Sequence, residues 1–553
     1  MSKTAVENLR RRHTFKYHLV IEGIFIGLIT GAFVSVFRLA LTYADETRNI
    51  LVDKAATDYA YALILAAVLI LIIIAITALL IAEPDIAGSG IPQVEAELFG
   101  QKEMNWLRVI LAKSLGCALA IGGGLALGRE GPSIQLGAMV GKGFSRKFKR
   151  LLTEERMLIT CGAGAGLAAA FGAPLAGAIF ALEELHRNFS AEVLLSTMAS
   201  TTAGVFVSAN VFGLTPVFGF DIKHGLPLKN YWTVVIVGIC VGFLGIIYNK
   251  SIEWMQNIFD KIGIIFAHIS EKISHKKAYN LTDGQLSSFG KKASVAGKLL
   301  VIFSFAFVMV FFYSDVLGSG SYLVGDISRG KFALSSILLL LILKFVFSTA
   351  SFGSGSPGGI FLPLLVLGAL TGGSISRLLG LFDFDQIYIT ALVVTAMAGF
   401  FAAVVRAPVT GVILITEMTG DFTCLLPLVG SSLVAYLIAE FFGSEPIYTQ
   451  LLRRSYSKSV YNTDSNFHSV DRKAVINADV HVGSFMDGKT IADFALPVGT
   501  LILSVLRNGE EIIPDGNTIL KGGDELEILT GEKELVDVES IIDIKSKTLV
   551  EPE

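Results

Sequence analysis

Pro132-Ser-Ile-Gln-Leu-Gly137-Ala-Met-Val-Gly141 reappears later in the chain as Pro363-Leu-Leu-Val-Leu-Gly368-Ala-Leu-Thr-Gly372, with the shared pattern P-x4-G-A-x2-G. A second pair follows in the same order, because Ala173-Pro174-x2-Gly177-x5-Glu183 matches Ala407-Pro408-x2-Gly411-x5-Glu417. Related halves with Gly/Pro-interrupted apolar segments in corresponding places predict a membrane fold whose binding site lies where the halves meet. Convergent packing of unrelated helices is the alternative interpretation.

The composition indicates a membrane protein. The chain has 553 residues, of which 52% are hydrophobic and 17% charged, and its mean hydropathy is +0.63. Several apolar stretches reach the roughly 20 residues that a helix needs to cross a bilayer. These stretches are residues 18–44, 60–82, 107–127, 157–182, 232–248 and 299–312. We therefore predict a polytopic helical bundle over the first 450 residues or so.

Basic clusters predict which loops face the cytoplasm. Arg10, Arg11 and Arg12 precede the first apolar stretch, which is too long for a signal peptide and lacks a clear cleavage site. By the positive-inside rule the N-terminus is cytoplasmic, and so are loops at two further clusters. Those clusters are Lys142, Arg146, Lys147, Lys149 and Arg150, and then Lys272, Lys276, Lys277, Lys291 and Lys292. Solvated helix faces are the alternative reading of both.

The sequence gives no sign of nucleic-acid binding, metal binding or enzymatic chemistry. A net charge of −3 does not suggest a nucleic-acid partner. The four cysteines, Cys117, Cys161, Cys240 and Cys424, lie in apolar segments without metal-ligand spacing. We expect them to be small core residues that form neither disulfides nor metal sites.

The chain divides into a membrane part and a tail. We predict a transmembrane domain over residues 1–452, with halves at about 13–268 and 294–448 joined by the polar segment 270–293. A linker over 453–463 leads to a charged domain at 464–553. Alternating stretches at 501–506 and 525–529, bounded by Asn-Gly and Gly-Gly turns, predict a small α/β domain around one helix near 490–495.

Three glycine-rich segments have the pattern of helix starts. They are Gly88-Ser-Gly-Ile-Pro92, Gly128-Arg-Glu-Gly-Pro-Ser133 and Gly358-Gly-Ile-Phe-Leu-Pro363. Each has a proline at or near its end and leads into apolar sequence. The first amides of a helix have no helical acceptor, so an anion can bind there without a full positive charge. One helix end contributes only about 0.3–2 kcal/mol, so several must converge on a dehydrated ion.

Acidic residues in the apolar part are candidates for proton handling. Glu130 lies inside the second glycine-rich segment, and an ionisable side chain within a membrane is by default a functional candidate. Its carboxylate competes for the amides that an anion would use, and protonation releases it. A salt bridge with Arg129 is the structural alternative. Glu183 and Glu184 end a long apolar stretch, where acids facing water are equally expected.

The ordered set GSGIP, GREGP and GxFxP resembles the CLC chloride channel and transporter family. The likeness extends from about Arg12 to Leu452 and includes a helix over Gly164–Glu184, written GAGLAAAFGAPLAGAIFALEE. The resemblance implies an α-helical polytopic membrane protein with a CLC-type inverted repeat. It also implies two associated subunits in the bilayer, each with its own pore, with chloride and protons as the transported ions.

The resemblance assigns roles to individual residues. It implies that Ser89 and Tyr448 present hydroxyls to a central chloride, and that Ile360 and Phe361 present backbone amides. Glu130 corresponds to the external gating acid. Glu184 corresponds to the internal proton acceptor, and because channels of the family generally lack an acid there, antiport is favoured over a passive channel. That channel remains the closest alternative.

The tail resembles the RCK C-terminal (TrkA-C) module of potassium transport regulators. The likeness covers residues 498–530 and implies a cytoplasmic domain that dimerises. Some such modules bind small effectors, among them cyclic di-AMP or nucleotides. Arg507, Ile512, Ile513 and Pro514 are the candidate pocket residues. A dimerisation module without a ligand is the other interpretation.

Two further features of the tail suggest functions that we do not predict. Gly483-Ser-Phe-Met-Asp-Gly488-Lys489-Thr490 fits the phosphate-loop pattern G-x4-G-K-[ST]. The tail of about 90 residues is too small for the sheet and long helix that this loop requires, so we do not predict nucleotide hydrolysis. The tail alone would suggest a potassium transporter, but no TVGYG-like filter loop is present.

Overall fold

The fold described here is that of a computed structural model of the chain. It describes residues 3–187, 189–219, 225–273, 287–462, 473–481, 483–493, 496, 499–507 and 510–531. The chain separates into two compact units, Met1–Val460 and Tyr461–Glu553. The large apolar core lies in the first unit, and a small separate core lies in the second.

In the described part of the first half of the large unit there are nine α-helices. They are α1 (Lys3–Ala55), α2 (Tyr59–Ala82), α3 (Ile91–Leu98), α4 (Trp106–Gly122), α5 (Glu130–Lys147), α6 (Leu152–Phe171), α7 (Pro174–Phe180), α8 (Ala191–Phe212) and α9 (Trp232–Ile273). Several begin at a polar cap, as at α4, where the Asn105 side chain accepts a hydrogen bond from the Arg108 amide. The cap fixes the residue at which the helix begins.

The second half contains eight helices. They are α10 (Ser288–Phe312), α11 (Ser321–Ser328), α12 (Leu334–Gly353), α13 (Phe361–Gly380), α14 (Ile389–Val405), α15 (Pro408–Thr419), α16 (Leu425–Phe441) and α17 (Ile447–Asn462). Residues 453–462, predicted as part of a linker, therefore continue α17. Across the described residues, eight helices are long and apolar enough to cross a membrane.

The structure extends the internal repeat beyond the two predicted pairs. Asp85-Ile-Ala-Gly-Ser-Gly90 and Asp315-Val-Leu-Gly-Ser-Gly320 occupy equivalent places, 230 residues apart. Each begins within a short 3-10 turn, and each leads into an eight-residue helix, α3 or α11. The two halves therefore correspond in three consecutive segments.

The stretch that was predicted to form one helix forms two. The stretch 164–184 was expected to be continuous, but α6 ends at Phe171 and α7 begins at Pro174. Gly172 has a φ of +69°, a left-handed conformation that terminates a helix, and Pro174 cannot continue it. After α7 the chain forms a single π-helical turn, Ala181–His186, which carries both Glu183 and Glu184. The sequence Gly172-Ala173-Pro174 is a local signal for this break, which hydropathy alone does not show because the whole run is apolar.

A pair of acids fixes the shorter helices of the two halves against each other. The Glu417 carboxylate, on α15, accepts hydrogen bonds from the amides of Leu175 (3.1 Å) and Ala176 (2.8 Å) at the start of α7. The Glu183 carboxylate accepts from the Thr410 amide (2.8 Å) and hydroxyl (2.6 Å) at the start of α15. Glu183 therefore does not simply face water, as a terminal acid was expected to do.

Two expectations about single residues are wrong. Lys142 was expected in a solvated basic loop, but it lies within α5, where its buried ammonium group donates to Glu97 (2.5 Å) and to the Met104 carbonyl (2.7 Å). Cys240 was expected in the core together with the other cysteines, but it is exposed on the surface of α9. An apolar exposed position is ordinary in a helix that faces lipid rather than water.

The second unit is built on a four-stranded antiparallel sheet in the order β1-β4-β2-β3. The strands are β1 (Lys473–Asp479), β2 (Leu501–Arg507), β3 (Glu510–Ile512) and β4 (Glu525–Gly531). The strands predicted at 501–506 and 525–529 are thus present. The helix predicted near 490–495 is a 3-10 turn, Ile491–Asp493, because the Asp493 carboxylate accepts from the Thr490 amide and hydroxyl and closes the turn. Ala495 lies outside the described residues.

Candidate anion pathway and proton-handling acids

The three glycine-rich segments meet inside the large unit. Gly128 and Gly359 exchange two hydrogen bonds, each 2.7 Å between amide nitrogen and carbonyl oxygen. The Gly358 amide donates to the Gly88 carbonyl at 3.0 Å, which adds the third segment. The predicted convergence of helix starts is therefore present, and main-chain hydrogen bonds between the two halves maintain it.

Ser89 lies at the turn that starts α3. The flanking Gly88 and Gly90 have φ values of +63° and +92°, a conformation that favours glycine. The buried Ser89 hydroxyl oxygen accepts a hydrogen bond from the Ile91 amide at 3.3 Å. The hydroxyl proton is thus left to be donated elsewhere, which is what an anion requires of a serine.

A buried lysine supports this turn, and sequence reasoning missed it. The ammonium group of Lys113 donates to the carbonyls of Ile86 (2.9 Å) and Gly88 (2.7 Å). In the second half, the buried Lys344 donates in the same way to Val316 (2.8 Å) and Gly318 (2.7 Å). The shared D-x2-G-S-G pattern would have located both turns. Each lysine thus orients carbonyls away from the turn and serves as structural support rather than as an ion ligand.

Glu130 is the first residue of α5 and is fully buried. Its carboxylate lies against the main chain at Gly128 and Leu362: a Cβ added to Gly128 would collide with Glu130 Oε2 and lie 3.1 Å from the Leu362 amide nitrogen. Arg129 Nε is 4.0 Å from Glu130 Oε1, and neither carboxylate oxygen has a hydrogen-bond partner among the described residues. The Arg129 salt bridge, the structural alternative, is therefore present only at the outer limit of an ion-pair distance and without a hydrogen bond.

Ile360 and Phe361 form the start of α13. Ile360 is the residue before the helix and Phe361 its first residue, so their amides precede the first helical hydrogen bond. The Phe361 ring packs against Phe401 (4.7 Å between ring centroids) and Phe171 (5.6 Å). This aromatic packing fixes the direction of the helix start. The neighbouring Gly359 approaches the start of α5, because a Cβ on Gly359 would lie 3.1 Å from the Gly131 amide nitrogen.

Tyr448 is buried in the first turn of α17. Its hydroxyl has no hydrogen-bond partner among the described residues, although a buried hydroxyl normally has one. The side chain is near enough to both Glu130 and Glu184 to interact with them electrostatically. An unpaired donor in this position is suited to a small anion.

Glu184 lies in the π-helical turn and is also buried. Its Oε1 has no hydrogen-bond partner among the described residues. The adjacent Arg187, with a left-handed φ of +53°, forms a 2.7 Å ion pair with Glu95. Glu95 and Arg187 did not figure in the sequence analysis, because their contact depends on how α3 packs against the π-helical turn.

Separate cavities reach the two sides of this centre. One, of about 230 Å³, is lined by Gly88, Ser89 and Leu451. The other, of about 490 Å³, is lined by Arg129 and Leu362. The sequence neighbours of Glu130 adjoin both cavities: Arg129 lines the second, and a Cβ added to Gly131 would lie 3.0 Å from the Cβ of Ser89, which lines the first.

The candidate ligand residues of the small unit surround the β2–β3 hairpin. Arg507 ends β2, and Ile512 pairs with Val505 across the hairpin. The Arg507 guanidinium group donates twice to Asp524 (2.7 Å each) and to the Ile519 carbonyl (2.7 Å), so most of its donors are already used within the fold. Ile513 is 88% exposed and Pro514 is half-buried.

The phosphate-loop pattern in this unit forms a different structure. The Asp487 carboxylate accepts hydrogen bonds from the amides of Gly483 and Gly522, each at 2.8 Å. These bonds lower the pKa of Asp487 below its ordinary value. A carboxylate of the protein itself thus takes an amide of the loop that a bound phosphate would need.

Comparison with known proteins agrees with this architecture. The profile of the voltage gated chloride channel family matches residues 69–440, and that of the TrkA-C domain matches residues 476–542. The chain belongs to the voltage gated chloride channel (CLC) family and is a multi-pass membrane protein with a C-terminal TrkA-C domain.

Individual relatives and solved structures show the same likeness. The H(+)/Cl(−) exchange transporter ClcA of Vibrio parahaemolyticus is 32% identical over 463 residues, which cover 82% of this chain and 93% of that protein. The structure of a slow cyanobacterial Cl−/H+ antiporter superposes with a TM-score of 0.71 at 29% identity, covering 80% of this chain and 99% of the other. A eukaryotic CLC transporter, at 23% identity and a TM-score of 0.62, shares the fold.

Proposed function

We propose that the protein exchanges chloride for protons across the membrane. The observation that carries this proposal is the meeting of three helix starts at one buried place together with Glu130, a buried carboxylate whose oxygens have no hydrogen-bond partner among the described residues. Relatives described as H(+)/Cl(−) exchangers support the choice of ions. The coverage of 93% of such a relative means that the likeness extends over nearly the whole transporter.

In this proposal chloride binds between the helix starts and the hydroxyls. Ser89 and Tyr448 donate their hydroxyl protons, and the amides of Ile360 and Phe361 complete the site. The free proton of Ser89 and the unpaired hydroxyl of Tyr448 support these roles. Neutral donors suit a transported ion, because a full positive charge would hold it too tightly for release.

Glu130 acts as the gate in this proposal. Ionised, its carboxylate competes with chloride for the amides near Leu362; protonated, it leaves them. Glu184 receives protons from the other side and passes them toward Glu130. The electrostatic proximity of Tyr448 to both acids supports a common centre for the two ions. A passive channel of the same family is the second candidate, and the presence of a buried acid at 184 argues against it.

A chloride gradient across liposomes tests coupling directly. We expect the wild type to move protons uphill when chloride flows down its gradient. Glu130→Ala and Glu184→Gln are each expected to retain chloride flux and lose coupled protons. Glu271→Gln is a matched control, since Glu271 is also buried but bonds the Ser287 amide away from these residues. Full coupling in either test variant would refute the assigned role.

We further propose that the protein works as a homodimer in the cell membrane, with both termini in the cytoplasm. The TrkA-C domain is then a cytoplasmic regulatory module, with cyclic di-AMP or a nucleotide as effector at Arg507, Ile512, Ile513 and Pro514. The exposed Ile513 next to the hairpin supports a contact with a second copy or a ligand. Titration of the full-length protein with cyclic di-AMP, ATP and AMP tests this proposal. An unchanged transport rate with all three would leave assembly as the role of the module.

A further inference from the structure

A largely apolar cavity lies outside the candidate ion pathway, among α1, α2, α4 and α10. Its volume is about 240 Å³, and its lining includes Leu65, Leu69, Ala118, Phe307 and Leu317. A cavity of about 150 Å³ with a purely aliphatic and aromatic lining already stays dry and takes up small apolar ligands. The size and lining of this cavity therefore favour an apolar occupant over water.

The cavity is surrounded by membrane-spanning helices. α1, α2 and α10 are each long and apolar enough to cross a bilayer, and the cavity lies close to where α1, α4 and α10 end and α2 begins. On α2, Leu63 and Leu71 are exposed, whereas Leu65 and Leu69 are buried and line the cavity. An exposed apolar face is ordinary for a helix in a bilayer, where lipid chains surround it. Acyl chains are therefore the apolar molecules that lie next to the cavity.

Arg48 is the charged residue in the lining of this cavity, and its side chain is 9% exposed. An ionisable side chain within a membrane span is by default a functional candidate. The guanidinium group forms an ion pair with Asp45 at 2.6 Å and donates to the Ile121 carbonyl at 3.0 Å. Its Nε is buried, yet the part of the chain that the structure describes offers it no hydrogen-bond partner. Because Asp45 already balances the charge, the acceptor that suits this Nε is neutral.

Arg48 also connects the cavity with the second half of the repeat. A Cβ added to Gly318 would lie 2.7 Å from Arg48 Nη1, and the Gly318 amide donates to the Gly124 carbonyl at 2.9 Å. The preceding residue, Leu317, lines the cavity. A molecule in the cavity therefore contacts both Arg48 and the turn that follows α10.

We propose that this cavity binds one acyl chain of an ester-linked membrane phospholipid, whose ester carbonyl oxygen accepts a hydrogen bond from Arg48 Nε. The apolar lining accommodates the chain, and the neutral Arg48–Asp45 pair favours an uncharged acceptor over the carboxylate of a free fatty acid. The bound chain fills the space between the two halves and supports the turn at Leu317. This proposal does not depend on which ions the protein transports.

Photo-crosslinking in liposomes shows where the chain lies. The full-length protein is reconstituted with phosphatidylcholine that carries a diazirine in one acyl chain, and the labelled residues are mapped by mass spectrometry. We expect labels on the buried Leu65 and Leu69 as well as on the exposed Leu63 and Leu71. Labels on Leu63 and Leu71 alone would overturn the proposal. Labels on Leu65 and Leu69 from a diazirine fatty acid but not from the phospholipid would overturn it too.

Two variants with the same added bulk separate the cavity from the general lipid surface. Ala118→Leu adds a larger side chain to the cavity lining and is expected to abolish labelling of Leu65 and Leu69 while that of Leu63 persists. Ala67→Leu is the control, because Ala67 is exposed on the same stripe of α2 as Leu63. The labelling pattern of the wild type is a test by itself, even if Ala118→Leu does not fold. Undiminished labelling of Leu65 and Leu69 in a folded Ala118→Leu variant would contradict the assigned position of the chain.

A comparison of ester-linked with ether-linked phosphatidylcholine tests the contact with Arg48. The two lipids have the same chains and headgroup, but the ether lipid lacks the carbonyl oxygen. In competition with the diazirine lipid for Leu65 and Leu69 of the wild type, the ester lipid is expected to bind about two- to tenfold more tightly, as one hydrogen bond implies. Arg48→Gln should remove this preference. Arg329→Gln should keep it, since Arg329 is exposed and pairs with Asp326 away from the cavity. Equal competition by the two lipids in the wild type would overturn the proposal.

Discussion

Glu183 and Glu417 are reciprocal helix caps. Each acid lies at or just beyond the C-terminal end of the helix whose first amides the other acid caps. Glu417 accepts the first amides of α7, and Glu183, in the turn after α7, accepts those of α15. The two halves of the repeat are thus joined by a symmetric exchange of carboxylates next to the candidate proton acceptor Glu184. Neither carboxylate requires a basic partner, because helix amides stabilise the negative charge.

The reciprocal caps predict a matched loss of stability. Glu417→Ala and Glu183→Ala should each destabilise the membrane unit by about 1–2 kcal/mol, the usual cost of removing a helix cap. Thermal unfolding of the detergent-solubilised protein measures this change. Glu440→Ala is the control, because the Glu440 side chain is 66% exposed and its pairing with Arg406 should contribute little. If all three variants unfold alike, the caps do not carry the stability assigned to them.

We expect the same substitution at the two buried lysines, Lys113→Met and Lys344→Met, to have different effects on chloride affinity. Lys113→Met leaves the carbonyls of Ile86 and Gly88 without their donor and should loosen the turn that carries Ser89. We expect about a 5- to 150-fold weaker chloride affinity by calorimetry, from the cost of about 1–3 kcal/mol for a lost buried hydrogen bond.

Lys344→Met is the internal control for that experiment. Lys344 is equally buried and makes the same two contacts in the other half, but it supports the turn at Gly318 and not the one at Ser89. Its loss should reduce stability by a similar amount and change central chloride affinity by less than about threefold. Equal losses of affinity in both variants would contradict the specific role of Lys113.

We predict that the proposed gate, Glu130, is sensitive to a single methyl group added at Gly128. A Cβ at Gly128 would collide with the Glu130 carboxylate, so Gly128→Ala should displace that carboxylate from its place beside Leu362. The number of protons moved per chloride in liposomes is expected to fall. Gly325→Ala is the control, because no atom lies within 4 Å of an added Cβ at that position of α11. An unchanged coupling ratio in Gly128→Ala would show that the gate has room to adjust.

We predict that the stability of the TrkA-C domain falls at acid pH as Asp524 becomes protonated. Burial of Asp524 raises its pKa, but hydrogen bonds from the Arg507 side chain and the Lys521 amide outweigh this effect, and the net pKa lies below the ordinary value. Ionised Asp524 therefore stabilises the folded domain above about pH 4. That contribution disappears as the pH falls through the lowered pKa.

Asp524→Asn tests this dependence in the full-length protein. At neutral pH it should destabilise the domain by about 1–3 kcal/mol and speed amide hydrogen exchange in β2 and β4. The difference from the wild type should shrink below about pH 4. Glu525→Gln, at the neighbouring exposed position, removes the same charge and should have little effect. A difference that persists unchanged at acid pH would show that it does not come from ionised Asp524.

The sequence predicts the glycine-rich helix starts of the large unit better than the contacts around them. Gly88, Gly128 and Gly358 open short motifs in which glycine and proline prescribe the local backbone, so their convergence followed from local chemistry. The same holds for Glu130 at the start of α5. The strands at 501–506 and 525–529 alternate in polarity and are bounded by turn residues, so they could also be predicted from the sequence.

Features that depend on packing between distant segments were not predicted. The ion pair between Glu95 and Arg187 depends on how α3 packs against the π-helical turn, and no local pattern encodes it. The break at Gly172 was missed for a different reason, since Gly172 and Pro174 signal it locally but the hydropathy of the run does not. Lys142 looked like a loop residue because the sequence does not show that Glu97 and the Met104 carbonyl enclose it.

The two hydrogen bonds between Gly128 and Gly359 limit how the protein can move. At 2.7 Å each, both would break if the halves separated by much more than about an ångström at this point. Large rocking of one half against the other would therefore break both bonds. If the proposed exchange operates, we expect it to proceed through rotations of individual side chains, above all Glu130, within a frame that stays joined at this point.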